Sequence, residues 1–320
     1  YLSFDFAMKQ SIFMTNGPLV NETLDAFDEW ISLIDVILPP YWKIHDPIKA
    51  IATNWEEVTK SEDNLVQVME KFRPPKKSWS DSCKKGDDTM GYTCGLWQLF
   101  HIVSVGTVEW NLQSSSEGQR FSTHEVGEVL RNYIARFFAC EECRANFLTA
   151  YDTCSHDRCN RLTHDVDLDK SSDWKQLPLW LWETHNDVNV RLAKERAERE
   201  GKKLTEEDDL LVQWPSRQAC PMCWKDDGGW DEEAIWKYLR MEYWPDDSST
   251  RTFRTEVLAS MRGEAVGLDD GDDQYTTGST MSYVLSLACV VVVLVFGVAY
   301  LQKQLTLQRT GRHKKYDLVA

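Results

Sequence analysis

At 320 residues the chain has room for one or two compact domains and appendages. Its formal net charge of −15 argues against nucleic acid as a partner. Nine cysteines, the first eight in close pairs, fit an oxidising compartment or a zinc protein, and 14 tryptophans fit an aromatic core or an aromatic-lined pocket.

Residues 1–78 read as helices. The run 23–38 carries Leu24, Phe27, Ile31, Ile34 and Leu38 at helical spacing and stops at Pro39-Pro40; residues 48–72 give one or two more helices before Pro74-Pro75. With no cysteine and no convergent polar set, this segment is a helical spacer. Asn21-Glu22-Thr23 is a glycosylation sequon, with meaning only in a luminal segment. Residues 79–95 form a polar loop with Cys83 and Cys94 at its ends. From Cys94 a helical pattern runs through CGLWQLFHIVSVGTVEW, and Trp97 and His101, four apart, share a face with Cys94. A second amphipathic run, 123–139, leads into Cys140-Glu141-Glu142-Cys143, and a short helical run, 144–151, follows.

A polar loop then holds Cys154, His156, Cys159 and His164. The next long helix places Trp182, His185 and Asn189 on one stripe. Residues 198–209 are a charged connection to Trp214-Pro215 and a second C-x-x-C, Cys220 and Cys223. The helix 231–244 carries Ile235, Leu239 and Tyr243 on one side. No alternating apolar run appears in residues 1–245, so the fold class is all-α.

Residues 246–280 are acidic and rich in Ser, Gly and Asp, and read as a flexible stalk. The uncharged apolar run 281–301 is long enough to cross a bilayer as one transmembrane helix, and Cys289 within it is a small hydrophobe. Lys303, Arg309, Arg312, Lys314 and Lys315 follow it, so 302–320 is expected to be a basic cytoplasmic tail and 1–280 to be luminal or extracellular. That orientation places the chain in a secretory-pathway membrane: Golgi, endoplasmic reticulum or cell surface. The start at Tyr1 without a targeting segment is expected of a mature or truncated product.

The chemistry centres on Cys140 and Cys143. Two cysteines two residues apart can close and open a disulfide, and a helix N-terminus favours the thiolate that exchange requires. Glu141 and Glu142 oppose that charge. The motif alone leaves a zinc half-site, a redox pair and a structural disulfide open. Polar His and Asn between Trp and Leu are costly to bury unpaired. Two helices that each offer Trp and His beside a C-x-x-C therefore suggest a planar ligand needing stacking and hydrogen bonds.

The segments CGLWQLFH, CEEC, LWLWETHNDVNVRL and QWPSRQACPMC, in this order, resemble the flavin-binding Erv/ALR sulfhydryl oxidase domain, specifically that of the quiescin-type sulfhydryl oxidases. The resemblance covers about 79–245, as an FAD-binding helical bundle, with 1–78 as the family's helical spacer. It implies an FAD-dependent thiol oxidase that turns dithiols or reduced protein thiols into disulfides and reduces O2 to H2O2. By resemblance Cys143 is the flavin-proximal cysteine and Cys140 the outer cysteine that exchanges with substrate. Trp97, His101, Trp182, His185, Asn186, Asn189 and Trp214 match positions lining the FAD site, and Glu142 and Asn146, flanking Cys143, are placed with them. Cys83 and Cys94 match a structural disulfide near the flavin, Cys220 and Cys223 the family's further C-x-x-C, and Cys154 and Cys159 look like an added bridge. No metal is expected.

Two positions depart from the pattern. Asn146 stands where the family usually has His, and Leu211 where a basic residue often precedes the site Trp. The thioredoxin-like domain usual ahead of the spacer has no match, so it is expected as an upstream domain or a partner. The alternatives are a membrane-anchored module of the same fold without turnover and a zinc module with four cysteine ligands, Cys140, Cys143, Cys220 and Cys223.

Overall fold

A computed structural model describes residues 1–262 except 15–16, 76–77, 81–87, 115–117 and 168–170. The apolar run 281–301, the tail 302–320 and the expected stalk from 263 onward lie outside the described residues. So does Cys83.

The chain opens with α1 (Leu2–Gln10), α2 (Glu22–Ile37), α3 (His45–Thr53) and α4 (Glu62–Met69), with the single helical turn Trp55–Val58 between the last two. In α2 the residues Phe27, Trp30, Ile31, Ile34 and Ile37 are buried, the stripe expected from 3.6-residue periodicity. The helix ends at Leu38, which is extended, as a residue before proline tends to be. Next comes α5 (Asp88–Gln113), which starts inside the segment expected to be a polar loop. Its glycines admit Trp79: a Cβ on Gly91 or Gly95 would stand 2.3 or 2.5 Å from that ring. Ser3 of α1 also donates to the Gly95 carbonyl at 2.9 Å. Thus residues 1–78 and the later helices share one apolar cluster, which joins Phe4, Phe27 and Trp30 with Phe100, Tyr133 and Trp180. The expected boundary at 78 is no break in the core.

Helix α6 (Thr123–Phe137) begins with a capping box formed by Ser122 and Glu125. Helices α7 (Glu141–Asp152), α8 (Gln176–Arg199), α9 (Glu206–Val212) and α10 (Glu232–Tyr243) follow. The α9 helix, capped by Thr205 and Asp208, occupies part of what reads as a charged connection. Among the described residues the only extended pairing is one antiparallel bridge, Trp224 with Trp230, so the all-α expectation holds there.

The stalk expectation is corrected for residues 248–261. They form α11 (Ser248–Met261), with Asp247 as its N-cap. Only Thr250, Phe253 and Val257 are buried, an i, i+3, i+7 set too sparse to read against the surrounding Ser, Thr and Arg. A partly buried charge network helps to fix α11: Arg240 of α10 donates to Glu109 of α5 at 2.5 Å and to Asp247 at 2.5 Å. Among the described residues no helix is long and apolar enough to cross a membrane.

Helices α5 and α8 carry the site because each borders both cores. Leu96, Phe100 and Val103 of α5 join the first cluster, and Val105 and Val108 the second. On α8, Leu177, Trp180 and Leu181 face the first, while Leu179 and Trp182 face the second.

Candidate active site

The central dithiol sits at the N-terminus of α7. Cys140 is the N-cap, its sulfur accepts from the Cys143 N–H at 3.3 Å, and the two are disulfide-bonded. Glu141 and Glu142 occupy the first turn. Both cysteines are half-buried.

A cleft of about 410 Å³ opens between α5, α6, α7 and α8. Cys143 and Asn146 line it, with Phe138, Phe147 and Val188 among its apolar walls. Cys140 does not line it. Trp97 and His185 form one wall as a parallel stack, with centroids 4.3 Å apart and planes 2° from parallel. Asn189, His156 and Arg191 supply polar groups to the lining, with the buried Thr184, whose hydroxyl donates to the Trp180 carbonyl, deeper in the wall. The arrangement suits a planar, largely apolar ligand with a few hydrogen-bonding edges.

The other expected ligand residues stand one layer behind. His101 is fully buried and does not line the cleft; its Nε2 is 3.0 Å from Nδ1 of His185, and its ring stacks on Tyr243. Its Nδ1 is a buried polar atom without a hydrogen-bond partner. Asn186 holds Trp214 through both backbone groups: its Nδ2 donates to the Trp214 carbonyl at 2.8 Å, and the Trp214 N–H donates to its Oδ1 at 2.7 Å. Trp182 Nε1 donates to the same carbonyl at 2.6 Å. Trp214 in turn packs on His101 and His185. These residues orient the cleft wall. Glu142 is exposed outside the cleft, 3.8 Å from Arg191.

The electrostatics keep this layer neutral. Burial pushes His185 down to about 4. Burial, then the neighbouring His185, pushes His101 well below the ordinary histidine value. At the rim the order reverses: the hydrogen bond to Asp187, at 2.6 Å, raises His156.

The remaining cysteines separate by environment. Cys94 lines the cleft and is disulfide-bonded. Cys154 and Cys159 are bonded to each other on a surface loop, and Cys220 and Cys223 are bonded in the second core. Because Cys140 pairs with Cys143 and Cys220 with Cys223, in different clusters, the structure does not join these four as metal ligands. His156 and Arg191 are cleft residues that sequence reasoning missed. Arg191 was accessible to it, lying seven residues after Thr184 on the face that also carries Val188.

Residues 94–214, which begin at a cleft cysteine and end at the clamped tryptophan, match the model of the Erv1 / Alr family. The chain is 27% identical over 231 residues to sulfhydryl oxidase 1 of Oryza sativa subsp. japonica, covering 70% of this chain and 39% of that protein. It is 25% identical over 283 residues to human sulfhydryl oxidase 2, covering 87% of this chain and 35% of that protein. With sulfhydryl oxidase 2 of Arabidopsis thaliana the identity is 31% over 165 residues, 50% of this chain and 28% of that protein. The chain thus spans between 28% and 39% of the length of these relatives. The solved sulfhydryl oxidase fragment of human QSOX1 shares the fold, with a TM-score of 0.52 at 18% identity over 75% of this chain and 91% of that chain.

Proposed function

Residues 94–214 belong to the Erv1/Alr family in a chain of quiescin-type sulfhydryl oxidase-like kind, and from that premise we propose that the chain is an FAD-dependent thiol oxidase. The observation that carries the reading is the split of one disulfide across a wall: Cys143 lines an apolar cleft and Cys140 does not. A substrate thiolate attacks Cys140 Sγ, the sulfur bond breaks, and Cys143 leaves as a thiolate favoured by the α7 N-terminus. The second substrate thiol, losing its proton, attacks the mixed disulfide. The substrate leaves oxidised, and Cys140 leaves as a thiolate that takes up a proton.

The residues present fit a flavin dinucleotide. The cleft is mainly apolar, its Trp97–His185 stack offers a flat face, and the neutral His185 avoids placing a cation under that face. Asn146, Thr184, Asn189 and Arg191 would hold its polar edges. When bound, the flavin supplies a two-electron acceptor that links the dithiol to O2, with H2O2 as product. Phe138, Phe147 and Val188 give the Cys143 side apolar walls that would limit water around a bound flavin.

For protein substrates the donor to Cys140 is a thioredoxin-like dithiol, an upstream domain or a partner. The apolar run 281–301, followed by Lys303, Arg309 and Arg312, supports a single membrane anchor with residues 1–280 on the luminal or extracellular side.

The test is the absorption spectrum of the purified chain, followed by O2 consumption with dithiothreitol. Bound flavin and one peroxide per disulfide formed are expected. A colourless chain that gains no thiol-dependent O2 uptake on added FAD sinks the reading.

A further inference from the structure

The loop closed by Cys154 and Cys159 is held in an unusual backbone state. Cys154, His156 and Asp157 all have positive φ, at 62°, 53° and 57°, without a glycine among them. Such conformations persist only where the surroundings over-determine them. Here the disulfide closes the loop, Trp180 Nε1 donates to the Ser155 carbonyl at 2.9 Å, and Arg161 donates to the His156 carbonyl at 3.0 Å. Arg158 packs over Tyr151 at 3.9 Å and reaches Cys159 Sγ at 3.1 Å.

What this loop presents to the cleft is one imidazole. His156 lines the same cleft as Cys143 and Asn146, and its Nε2 is bound to Asp187, which leaves Nδ1 as the ring's other donor. Asp187 and Glu183 favour the cationic ring; partial burial and Arg161 oppose it, and the Asp187 bond dominates. Arg191, also lining the cleft, carries the second positive charge, shared with Glu195 at 2.5 Å and Glu142 at 3.8 Å. His156 Nδ1 and the Arg191 guanidinium both line the cleft and keep donors beyond their carboxylate partners Asp187, Glu195 and Glu142, and an anionic ligand in the cleft can accept from them. The diphosphate is the anionic part of a flavin dinucleotide.

We propose that the Cys154–Cys159 loop is a diphosphate clamp, in which His156, braced by Asp187, acts with Arg191 to hold the phosphates of the dinucleotide. The proposal rests on the flavin reading. It assigns the loop a ligand-binding task with its disulfide closed, and adds His156 to His185 as a second histidine for the cofactor from outside the C-x-x-C helix.

The experiment titrates flavin-stripped protein with two probes, FAD and phosphate-free riboflavin, and reads Kd from fluorescence quenching. His156→Gln is expected to weaken FAD about tenfold or more, the worth of one charge-assisted hydrogen bond, and to leave riboflavin within about twofold. Cys154→Ala/Cys159→Ala should show the same selective loss while keeping its far-UV circular dichroism. Adding His156→Gln to that pair should cost little more, because the loop acts through His156. Unchanged FAD binding in His156→Gln, equal losses on both probes, or fully multiplicative losses in the triple variant would each overturn the clamp. His156→Gln leaves the disulfide intact, so the test stands even where the cysteine variant unfolds. A wild-type chain that binds neither probe overturns the flavin reading itself, a result distinct from the others.

Discussion

Two C-x-x-C pairs in this chain share a spacing and nothing else. Cys140 and Cys143 cap a helix, half-buried, with Cys143 in the wall of a cleft. Cys220 and Cys223 are both 0% exposed, packed in a cluster with Trp182, Trp214, Trp224 and Trp230. Disulfide exchange needs in-line approach of a thiolate to sulfur, so access decides the role that spacing leaves open. The first pair has access and a helix N-terminus. The second closes a buried turn, 220–223, packed against α10 and α11.

The sharpest break between the two pairs is mutational. Cys143→Ser should reduce dithiothreitol-dependent peroxide production to background while FAD stays bound, because Trp97, Asn189 and Arg191 on other helices remain. Oxidase turnover retained in that variant would undo the assignment of Cys143. Cys220→Ala/Cys223→Ala should instead keep turnover per bound flavin and lose about 2 kcal/mol of stability, the chain-entropy value for so short a loop. The denaturant midpoint reads the loss. Alkylation after mild reduction gives a second readout: Cys140 and Cys143 should label in the folded protein, and Cys220 and Cys223 only after unfolding.

Between the pairs lies the imidazole layer, and pH probes it. Unfolded histidines take up protons near pH 6.5, whereas folded His185 resists until about 4 and burial holds His101 well below the ordinary histidine value. The unfolded state therefore binds more protons within that window, and stability falls as pH drops from about 6.5 to about 4. His156 has the opposite sign: its contribution is present below pH 6.5 and fades as pH rises through its raised folded value. Both rim partners are partly exposed, so that term is small. For His185 alone a loss of roughly 2 kcal/mol is expected on going from pH 7 to 4.5, and His101 adds to it in the same direction. Urea midpoints of flavin-free protein at the two pH values measure it; equal midpoints would mean that the pair is hydrated or already charged.

Much of this arrangement was legible in the sequence. The stripes of α2 and α6, the proline stop after Leu38 and the Ser122–Glu125 cap follow from spacing and capping rules. The pairing of Trp97 with His185 was legible as two stripes with the same composition. The division of labour among the site residues was not. Nothing in a one-dimensional pattern shows that His101, Asn186 and Trp182 stand behind the cleft, because Trp214 arrives from a distant segment to claim Asn186 and Trp182 as partners. His156 was hidden for a related reason: a disulfide loop with positive φ, rather than a helix face, brings it to the rim. The α11 helix was masked by polar composition, since the α5–α10 charge network helps to secure it alongside only three buried side chains.

The smallest expected effect concerns the two glutamates between the reactive cysteines. Glu141 and Glu142 lie in the first turn of α7, where acids stabilise the helix, yet they stand beside the sulfur that must bear negative charge. Glu142 is 80% exposed and only loosely paired with Arg191, so solvent and salt screen much of its field. Glu141→Gln/Glu142→Gln should therefore raise the rate of exchange at Cys140 by only about two- to threefold at pH 7 and low salt, through less repulsion of the incoming thiolate and a better Cys143 leaving group. The gain should shrink at about 0.5 M salt, where the screening length is only a few ångströms. Stopped-flow reaction of the oxidised protein with a small dithiol measures it directly. An unchanged rate at low salt would show that the helix N-terminus alone sets the reactivity of the outer sulfur. A slower rate would show that the carboxylates assist catalysis, as proton acceptors for the substrate thiol, and would move Glu141 or Glu142 into the site.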